Sequence, residues 1–409
     1  MRKNISNQRL STQLTESERR VRVLYVSTYI PRECGIATFT KDLTNAINLL
    51  NPTCLADITA IDDKELNKTS YQYPWEVKHR IQQDSLTSWL DMAKHINDTS
   101  ADVVSIQHEF GIYGPPGTDG ENIIPFMEKI TKPIVVTFHT VLPEPTEHQL
   151  EVVQKIAERA EAIVVMVNVA VKWLTEVYNL DEHKIVVIPH GVPDIPFTPS
   201  IGPKAELGLK NYKTIMGFGL VNRGKGYEQA ISALPLILER HPKTKLLILG
   251  ETHPVVRRQE GEKYRNKLKR LAKRLGVQDY IVWVNRYLSL DEIIEYLKAT
   301  DIYITPFINL QQITSGTLSY AVGAGRVCLS SPYLYAGEVL DENRGFIVEP
   351  FCPIKFAKAV NQIFDHPRKS LEVAKRAYDY GRNMIWPSVA LRYLDLFEIL
   401  IKRGEHANS

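Results

Sequence analysis

Short apolar runs alternate with amphipathic segments along most of the chain. The first run, Val21–Ser27, is rich in β-branched residues and predicts a buried strand. After it, Phe39, Leu43 and Ile47 fall on one face of a helix. The same pattern predicts strands at Ala56–Ile61, Val103–Ile106, Ile134–Phe138, Ile163–Val167, Ile185–Ile188, Tyr212–Ile215, Lys245–Gly250, Ile281–Trp283, Asp301–Thr305, Arg326–Ser330 and Gly345–Val348. Strands that alternate with helices predict an α/β fold of parallel sheets, whose ligands bind beyond the carboxyl ends of the strands.

The length of the chain and one proline-rich segment predict two domains. A chain of 409 residues is longer than one hydrophobic core usually supports. The segment Pro193–Pro203 is rich in proline, as linkers are. We predict a disordered tail at 1–20, an N-terminal α/β domain at 21–195, a linker at 196–204 and a C-terminal α/β domain at 205–385.

The composition excludes several classes of protein. A net charge of +3 is small for this length, so we expect no nucleic-acid partner. The cysteines are widely spaced, which favours free thiols in a reducing compartment; they are Cys34, Cys54, Cys328 and Cys352. Met1–Arg20 is polar, unlike a signal peptide, and the apolar run Ala162–Val171 is too short to span a bilayer. We therefore predict a cytoplasmic protein, and we make no prediction of its oligomeric state.

A glycine-rich stretch, Gly217–Gly226, lies between a predicted strand and a predicted helix. Its glycines allow a ligand to approach the backbone closely, and the helix N-terminus offers unpaired N–H groups. Arg223 and Lys225 add two positive charges. These features together predict an anion site, most simply for a diphosphate. The alternative is a glycine-rich surface turn that carries two solvated cations.

Two further predicted helix starts have the residues of an anion site. Gly35 follows the first strand, although a simple tight turn explains it equally well. In the second half, Ser315, Gly316 and Thr317 offer hydroxyl and N–H groups, with an ordinary helix cap as the alternative. Glu338 follows another strand, where it is expected either to bind sugar or ribose hydroxyls or to cap the next helix.

Three histidines follow predicted strands, namely His108, His139 and His190. The Pro-His-Gly context of His190 is typical of a turn, so we assign it a structural role. For His139, and for His108 with its neighbour Glu109, the position at a strand end favours a role in binding or catalysis.

Several motifs together resemble the group 1 glycosyltransferases, the retaining family 4 with the GT-B fold. They are Cys34–Thr40, Gln107–Gly111, Thr137–His139, Ile188–Val192, Gly224–Gly226, Gln312–Thr317 and the region of Glu338. The resemblance covers nearly the whole predicted folded chain. It implies two Rossmann-like domains that face each other across a cleft, with the nucleotide-sugar on the C-terminal domain and the acceptor on the N-terminal one. It also implies that a C-terminal crossover helix, 386–409, returns to the first domain.

The resemblance assigns roles to individual residues. Lys225 is expected to neutralise the donor diphosphate with Arg223 beside it, and His139 is expected to lie near the transferred sugar. The acceptor is assigned to His108 and Glu109. The residues assigned to the donor are Gly35 and Ile36, through their backbone N–H groups, and Gly219, Gln312, Ser315, Gly316, Thr317 and Glu338.

The sequence departs from the family pattern at the donor site. The paired glutamates of the family, separated by seven residues, correspond here to Gln312 and Tyr320. Gln312 is able to bind sugar hydroxyls but carries no charge, so Glu338 is the candidate for the ribose. The family arginine corresponds to Leu220, and Arg223 is expected to supply the second cation from a shifted position.

The resemblance therefore implies a metal-independent enzyme of carbohydrate biosynthesis without a cofactor. It is expected to move a hexose, mannose or glucose, from a GDP- or UDP-linked donor to a sugar or lipid-linked acceptor with retention. Two alternatives stay open: a phosphorylase-like enzyme that uses free phosphate, and a glycan- or nucleotide-binding protein without catalysis. The basic run Arg257–Arg274 is interpreted as the solvated face of a helix, with weak contact to a membrane surface as the alternative.

Overall fold

The computed structural model of the chain describes residues 21–63, 71–115 and 117–407. The predicted tail at 1–20 lies outside the described residues. Contacts divide the chain into two compact units. The first holds the residues up to Val165, the segment Val171–Ile188 and the chain from Trp386 onward. The second holds Met166–Ala170 and Pro189–Ile385.

The first unit is built on a parallel seven-stranded sheet in the order β3-β2-β1-β4-β5-β6-β7. Its strands are β1 (Val23–Ser27), β2 (Asp57–Asp62), β3 (Val77–Gln82), β4 (Val103–His108), β5 (Ile134–Phe138), β6 (Ala162–Val165) and β7 (Ile185–Val187). Its helices are α1 (Gly35–Leu50), α2 (Leu86–Asp98), α3 (Ile123–Lys129), α4 (Glu147–Arg159) and, at the end of the chain, α15 (Trp386–Ala407). Helix α5 (Asn168–Glu176) begins within the segment Met166–Ala170.

The second unit is built on a parallel six-stranded sheet in the order β10-β9-β8-β11-β12-β13. Its strands are β8 (Lys213–Phe218), β9 (Thr244–Leu249), β10 (Ile281–Val284), β11 (Ile302–Thr305), β12 (Val327–Ser330) and β13 (Phe346–Ile347). Its helices are α6 (Ile201–Glu206), α7 (Tyr227–Arg240), α8 (Pro254–Glu260), α9 (Lys263–Arg274), α10 (Leu290–Lys298), α11 (Gly316–Gly323), α12 (Leu334–Val339), α13 (Pro353–Asp365) and α14 (Pro367–Gly381).

The predicted α/β fold with parallel sheets is confirmed, and the apolar runs become its strands. All five residues of β1 and of β5 are buried, as expected when helices cover both faces of a sheet. The pattern missed β3, whose sequence Val-Lys-His-Arg-Ile-Gln is mostly polar. That strand forms the edge of its sheet, where one side faces solvent and an apolar run is not required.

The strand order of each sheet reverses direction at one place, which creates a crevice at the carboxyl edge. In the first unit the reversal lies between β1 and β4, and in the second unit it lies between β8 and β11. Sheets of this kind bind their ligands at such a switch point. A ligand is therefore expected to bind at the loops that follow β1, β4, β8 and β11.

Candidate functional site

The loop after β8 is folded tightly by two glycines with positive φ angles. Gly219 has φ 114°, and Gly226, which begins α7, has φ 62°. A Cβ atom at Gly226 would lie 2.0 Å from the carbonyl oxygen of Pro306, in the loop after β11. Glycine is therefore required at Gly226 both for its backbone angle and for the close approach of the two loops.

Backbone hydrogen bonds hold this loop against its neighbours on both sides. Gly219 N donates to Leu249 O over 3.0 Å, and Ile308 N donates to Gly224 O over 3.1 Å. On the β9 side, a Cβ atom at Gly250 would lie 2.3 Å from Gly219 O. The loops after β8, β9 and β11 thus form one continuous backbone layer at the switch point.

Lys225 lies in this layer without a carboxylate partner among the described residues. Its Nζ atom lies 4.2 Å from the centre of the Phe307 ring. It is also 3.7 Å from the position that a Cβ atom would take at Gly219, and the Thr317 methyl group is 3.2 Å from that same position. Burial lowers the pKa of Lys225 to about 8, because no anion compensates the desolvation of the ammonium group.

The N-terminus of α11 completes this group of residues. Ser315 caps the helix, since its hydroxyl accepts a hydrogen bond from Leu318 N over 3.3 Å. Gly316 follows, and a Cβ atom there would lie 2.9 Å from His190 Nε2. His190 is buried, and burial lowers its pKa to about 4, so it acts as a neutral packing residue behind the helix start. The structural role predicted for His190 agrees with this environment.

Arg223 does not share the environment of Lys225. Its guanidinium group donates to Glu260 Oε2 over 2.8 Å and lies over the ring of Tyr264 at 5.5 Å. Its side chain is 55% exposed. The predicted pairing of Arg223 and Lys225 on one diphosphate is therefore not seen, because a carboxylate on α8 already holds the arginine.

The two positions that correspond to the paired glutamates of the family have partners of their own. Gln312 Nε2 donates to Thr314 O over 2.6 Å. Tyr320 is buried, with its ring centre 6.4 Å from that of Phe218. Neither position supplies a charge, as the sequence predicted.

Glu338 does not cap the next helix, which was one of its two predicted roles. Its carboxylate accepts hydrogen bonds from Asn168 N and Asn168 Nδ2, both over 2.8 Å, and from Val169 N over 3.0 Å. These donors lie at the start of α5. The carboxylate therefore satisfies N–H groups at a helix start much earlier in the chain, and the structure does not join it to the residues around Lys225.

In the first unit, the carboxyl ends of β4 and β5 bring polar side chains together on one face of the sheet. His139 Nε2 lies 3.0 Å from Gln107 Oε1, and the Thr140 hydroxyl donates to Glu109 Oε2 over 2.7 Å. Phe39 of α1 contacts the His139 ring edge-on at 4.9 Å. Burial raises the pKa of Glu109, while the bonds from Thr140 and from the backbone N–H of Phe110 oppose this shift.

His108 lies on the opposite face of the same sheet. It is 0% exposed and is surrounded by the rings of Phe110, Tyr113 and Phe138 at 5.1 to 5.5 Å. Successive side chains of a strand point to opposite faces, so His108 cannot share a face with Gln107 and Glu109. The prediction that His108 binds the acceptor is thus corrected to a packing role, and Gln107 is the residue that the sequence reasoning missed.

The start of α1 remains open at the position predicted for a backbone contact. Cys34 caps the helix, and its sulfur accepts from Ala37 N over 3.3 Å. Apart from its chain neighbours and the backbone of its own helix, no heavy atom of the described residues lies within 4 Å of the position that a Cβ atom would take at Gly35. The N–H groups of Gly35 and Ile36 are in the first turn of a helix, where the backbone lacks intrahelical acceptors.

The basic run 257–274 is not a uniform solvated face. Arg265 is 1% exposed, and its guanidinium group donates to Gly250 O over 2.7 Å. It therefore supports the turn after β9 from beneath. Lys267 pairs with Glu228 over 3.1 Å, and Lys269 lies 6.0 Å from the centre of the Trp283 ring.

Two features are absent from the described ranges. Within residues 21–63, 71–115 and 117–407, no three His, Cys, Asp or Glu side chains are grouped as a metal ion would require. In the same part of the chain, no helix is both long and apolar enough to cross a membrane.

Comparisons with known proteins agree with this architecture. Residues 204–384 match the family described as "Glycosyl transferases group 1". A D-inositol 3-phosphate glycosyltransferase of Corynebacterium kroppenstedtii is 24% identical over 280 residues, which cover 64% of this chain and 58% of that protein. A second one, from Segniliparus rotundus, is 22% identical over 300 residues and is covered over 63% of its length. The chain thus spans less than two thirds of these curated relatives.

Solved structures match over nearly the whole chain. Sucrose-phosphate synthase from Thermosynechococcus elongatus has a TM-score of 0.76 at 16% identity, with 93% of this chain and 100% of that chain covered. HepE of Anabaena, in complex with UDP and glucose, has a TM-score of 0.73 at 13% identity, with 92% and 99% covered. Two parallel Rossmann-like sheets with this likeness define the GT-B class of glycosyltransferase folds. Within that class, the chain is similar to the group 1 glycosyltransferases, the family that its residues 204–384 match.

Proposed function

We propose that the chain transfers a hexose, with retention, from a nucleotide-diphosphate sugar to a hydroxyl group of a sugar-like acceptor. The match of residues 204–384 to the group 1 glycosyltransferases supports the class of reaction. The observation that carries the donor assignment is Lys225, a desolvated cation without a carboxylate partner among the described residues. An unpaired ammonium group is costly to bury, so a ligand with negative charge is its natural counterpart.

The residues around Lys225 suit a diphosphate in particular. Gly219 leaves open the space 3.7 Å from Nζ, so the backbone allows an oxygen anion to approach the ammonium group. Thr317, in the first turn of α11, has its methyl group 3.2 Å from that same position at Gly219, so the start of this helix lies close to Lys225. Helix N-termini attract phosphate groups through these N–H donors and through the helix dipole.

In the proposed reaction, the bond from the anomeric carbon to the β-phosphate oxygen breaks as the bond to the acceptor oxygen forms. Both events occur on the same face of the sugar, and the proton of the acceptor hydroxyl passes to the departing phosphate oxygen. Lys225 stabilises the charge that develops on the leaving diphosphate. Preorganised charges of this kind typically contribute about 3–4 kcal/mol to the barrier.

UDP-glucose is the donor that we propose to test first, with GDP-mannose as the comparison. The support is that HepE, which has the same fold, was crystallised with UDP and glucose and with UDP-glucose. For the acceptor we propose a phosphorylated polyol or sugar, since the relatives act on D-inositol 3-phosphate by name. Glu109 and His139, at the carboxyl edge of the first sheet, are the residues proposed to bind it.

The first test is a thermal-shift panel of UDP, GDP, ADP and inorganic phosphate. A ligand that binds only the folded protein raises its apparent stability by mass action. We expect one nucleoside diphosphate to stabilise the wild-type protein but not Lys225→Ala. The matched control is Lys243→Ala, which removes an exposed lysine from the same unit and should respond as the wild type does.

Turnover of the matching nucleotide-sugar completes the test. Lys225→Ala is expected to lower kcat/KM by roughly a hundredfold or more, with little loss of folding stability. A shift with phosphate alone would instead support a phosphorylase. No shift with any ligand, or normal turnover in Lys225→Ala, would remove the diphosphate assignment.

A further inference from the structure

Gln107 is a completely buried side chain that makes one side-chain hydrogen bond in the structure. Its Oε1 atom lies 3.0 Å from Nε2 of His139, and it is 0% exposed. Its amide Nε2 is buried and has no hydrogen-bond partner among the described residues. Buried amide N–H groups are rarely left without an acceptor, so packing alone does not explain a glutamine at this position.

The contact between the two side chains is held in place from several directions. The backbone N–H of His139 donates to His108 O over 3.1 Å, which fixes the start of the loop after β5. The hydroxyl of Tyr113 donates to Gln107 O over 2.7 Å. The ring of Phe39 covers the imidazole edge-on. The histidine ring therefore has little freedom to turn away from the amide.

An amide acts on a histidine differently from a carboxylate. The oxygen of Gln107 accepts a hydrogen bond from a protonated Nε2, which leaves the lone pair of a neutral ring on Nδ1. Because the amide has no charge, it does not stabilise the imidazolium form as a carboxylate would. The contact therefore favours the tautomer that is protonated at Nε2 and adds no negative charge beside the ring.

We propose that Gln107 is a positioning residue for His139 at the carboxyl edge of the first sheet. Gln107 holds the imidazole ring in one orientation and favours its neutral form with the proton on Nε2. The structural part of this inference stands on the contact itself. Its meaning for catalysis rests on the proposed function, in which His139 meets an uncharged acceptor hydroxyl group.

The test is nuclear magnetic resonance of protein labelled with 13C and 15N in its histidines. The chain has 11 histidines, and comparison with His139→Gln assigns the signals of His139. In the wild type we expect the neutral tautomer protonated at Nε2. In Gln107→Leu, a variant of similar size without an acceptor, we expect a mixture of both tautomers. In Gln107→Glu we expect the titration midpoint of His139 to move up by at least about one pH unit.

The matched control is Gln72→Glu, which adds the same charge at an exposed position of the same unit. This variant should leave the signals of His139 unchanged. A wild-type ring protonated at Nδ1, or an unchanged titration midpoint in Gln107→Glu, would overturn the proposal.

A second measurement separates this inference from the proposed function. With an active donor, the acid limb of the pH profile of kcat/KM is expected to move to higher pH in Gln107→Glu. A merely structural role would lower kcat/KM at every pH without moving the limb, which counts against the proposal. If the resonance results hold but no nucleotide-sugar is turned over, the proposed function fails and the positioning role remains.

Discussion

The buried histidine His108 gives the protein a predictable sensitivity to acid. Burial lowers its pKa to about 3, and neither ring nitrogen has a hydrogen-bond partner in the structure. In the unfolded chain the same group has a pKa of about 6.5. At a pH between these two pKa values, His108 binds a proton in the unfolded state but not in the folded state, so acid favours unfolding.

The size of the effect follows from linkage. Above about pH 6.5 both states are neutral, and His108 contributes no pH dependence. Below that value, the free energy of unfolding falls by about 1.4 kcal/mol for each pH unit, until the pH reaches the folded-state pKa. At about pH 5 the loss from this one residue is therefore about 2 kcal/mol, and Phe in place of His108 should abolish it.

The assay is urea denaturation of the wild type and His108→Phe at about pH 7 and about pH 5. Fluorescence is a suitable probe because Trp89 lies 5.3 Å from Tyr113, which stacks on His108. His183→Gln, at an exposed position, is the control for removal of a histidine. If the wild type and His108→Phe lose the same stability over this range, His108 is protonated inside the folded protein and the reasoning is wrong.

Three further predictions concern the second unit. Burial lowers the pKa of Lys225 to about 8, so above about pH 8 the lysine loses the charge that attracts UDP, and the affinity for UDP should fall by up to tenfold per pH unit. Lys225→Arg should show no such loss, and calorimetry in a pH series checks both results. Gly226→Ala should lower the free energy of unfolding by about 2–4 kcal/mol, because of its backbone angle and the contact with Pro306. Gly208→Ala, at φ 69° with no described neighbour near its Cβ position, should lower it by about 1 kcal/mol, and denaturation of both variants measures the difference. Glu338→Gln should lower stability by about 1 kcal/mol and leave the Kd for UDP within about twofold, and a tenfold rise in Kd would return Glu338 to the donor site.

Much of the fold could be predicted because it follows from local patterns. Runs such as Ile134–Phe138, which is apolar at every position except Thr137, are typical of a strand that is covered on both faces. The alternation of side chains along a strand would also have predicted that Gln107 and His108 lie on opposite faces of the sheet, since neighbours in a strand cannot share a face. The error at His108 came from treating every polar residue near a strand end alike.

The partners of charged side chains could not be predicted in the same way. Arg223 is two residues from Lys225 in sequence, yet it pairs with Glu260, 37 residues away. Glu338 contacts Asn168, which precedes it by 170 residues. Such choices depend on which distant elements the fold places together, and a single sequence without the fold does not record them.

The two candidate sites differ in charge, as the two substrates of a transfer reaction do. In the second unit the candidate donor site holds the cation Lys225, and the two positions that the resemblance aligns with paired glutamates are the neutral Gln312 and Tyr320. A single cation beside a helix N-terminus attracts the diphosphate group of a nucleotide-sugar more strongly than its uncharged parts. In the first unit, the pair of Gln107 and His139 offers hydrogen bonds without a full charge, as the hydroxyl group of an acceptor requires. Because Lys225 is buried, salt should screen its attraction for the diphosphate only weakly, so added salt should change the affinity for the donor much less than Lys225→Ala does.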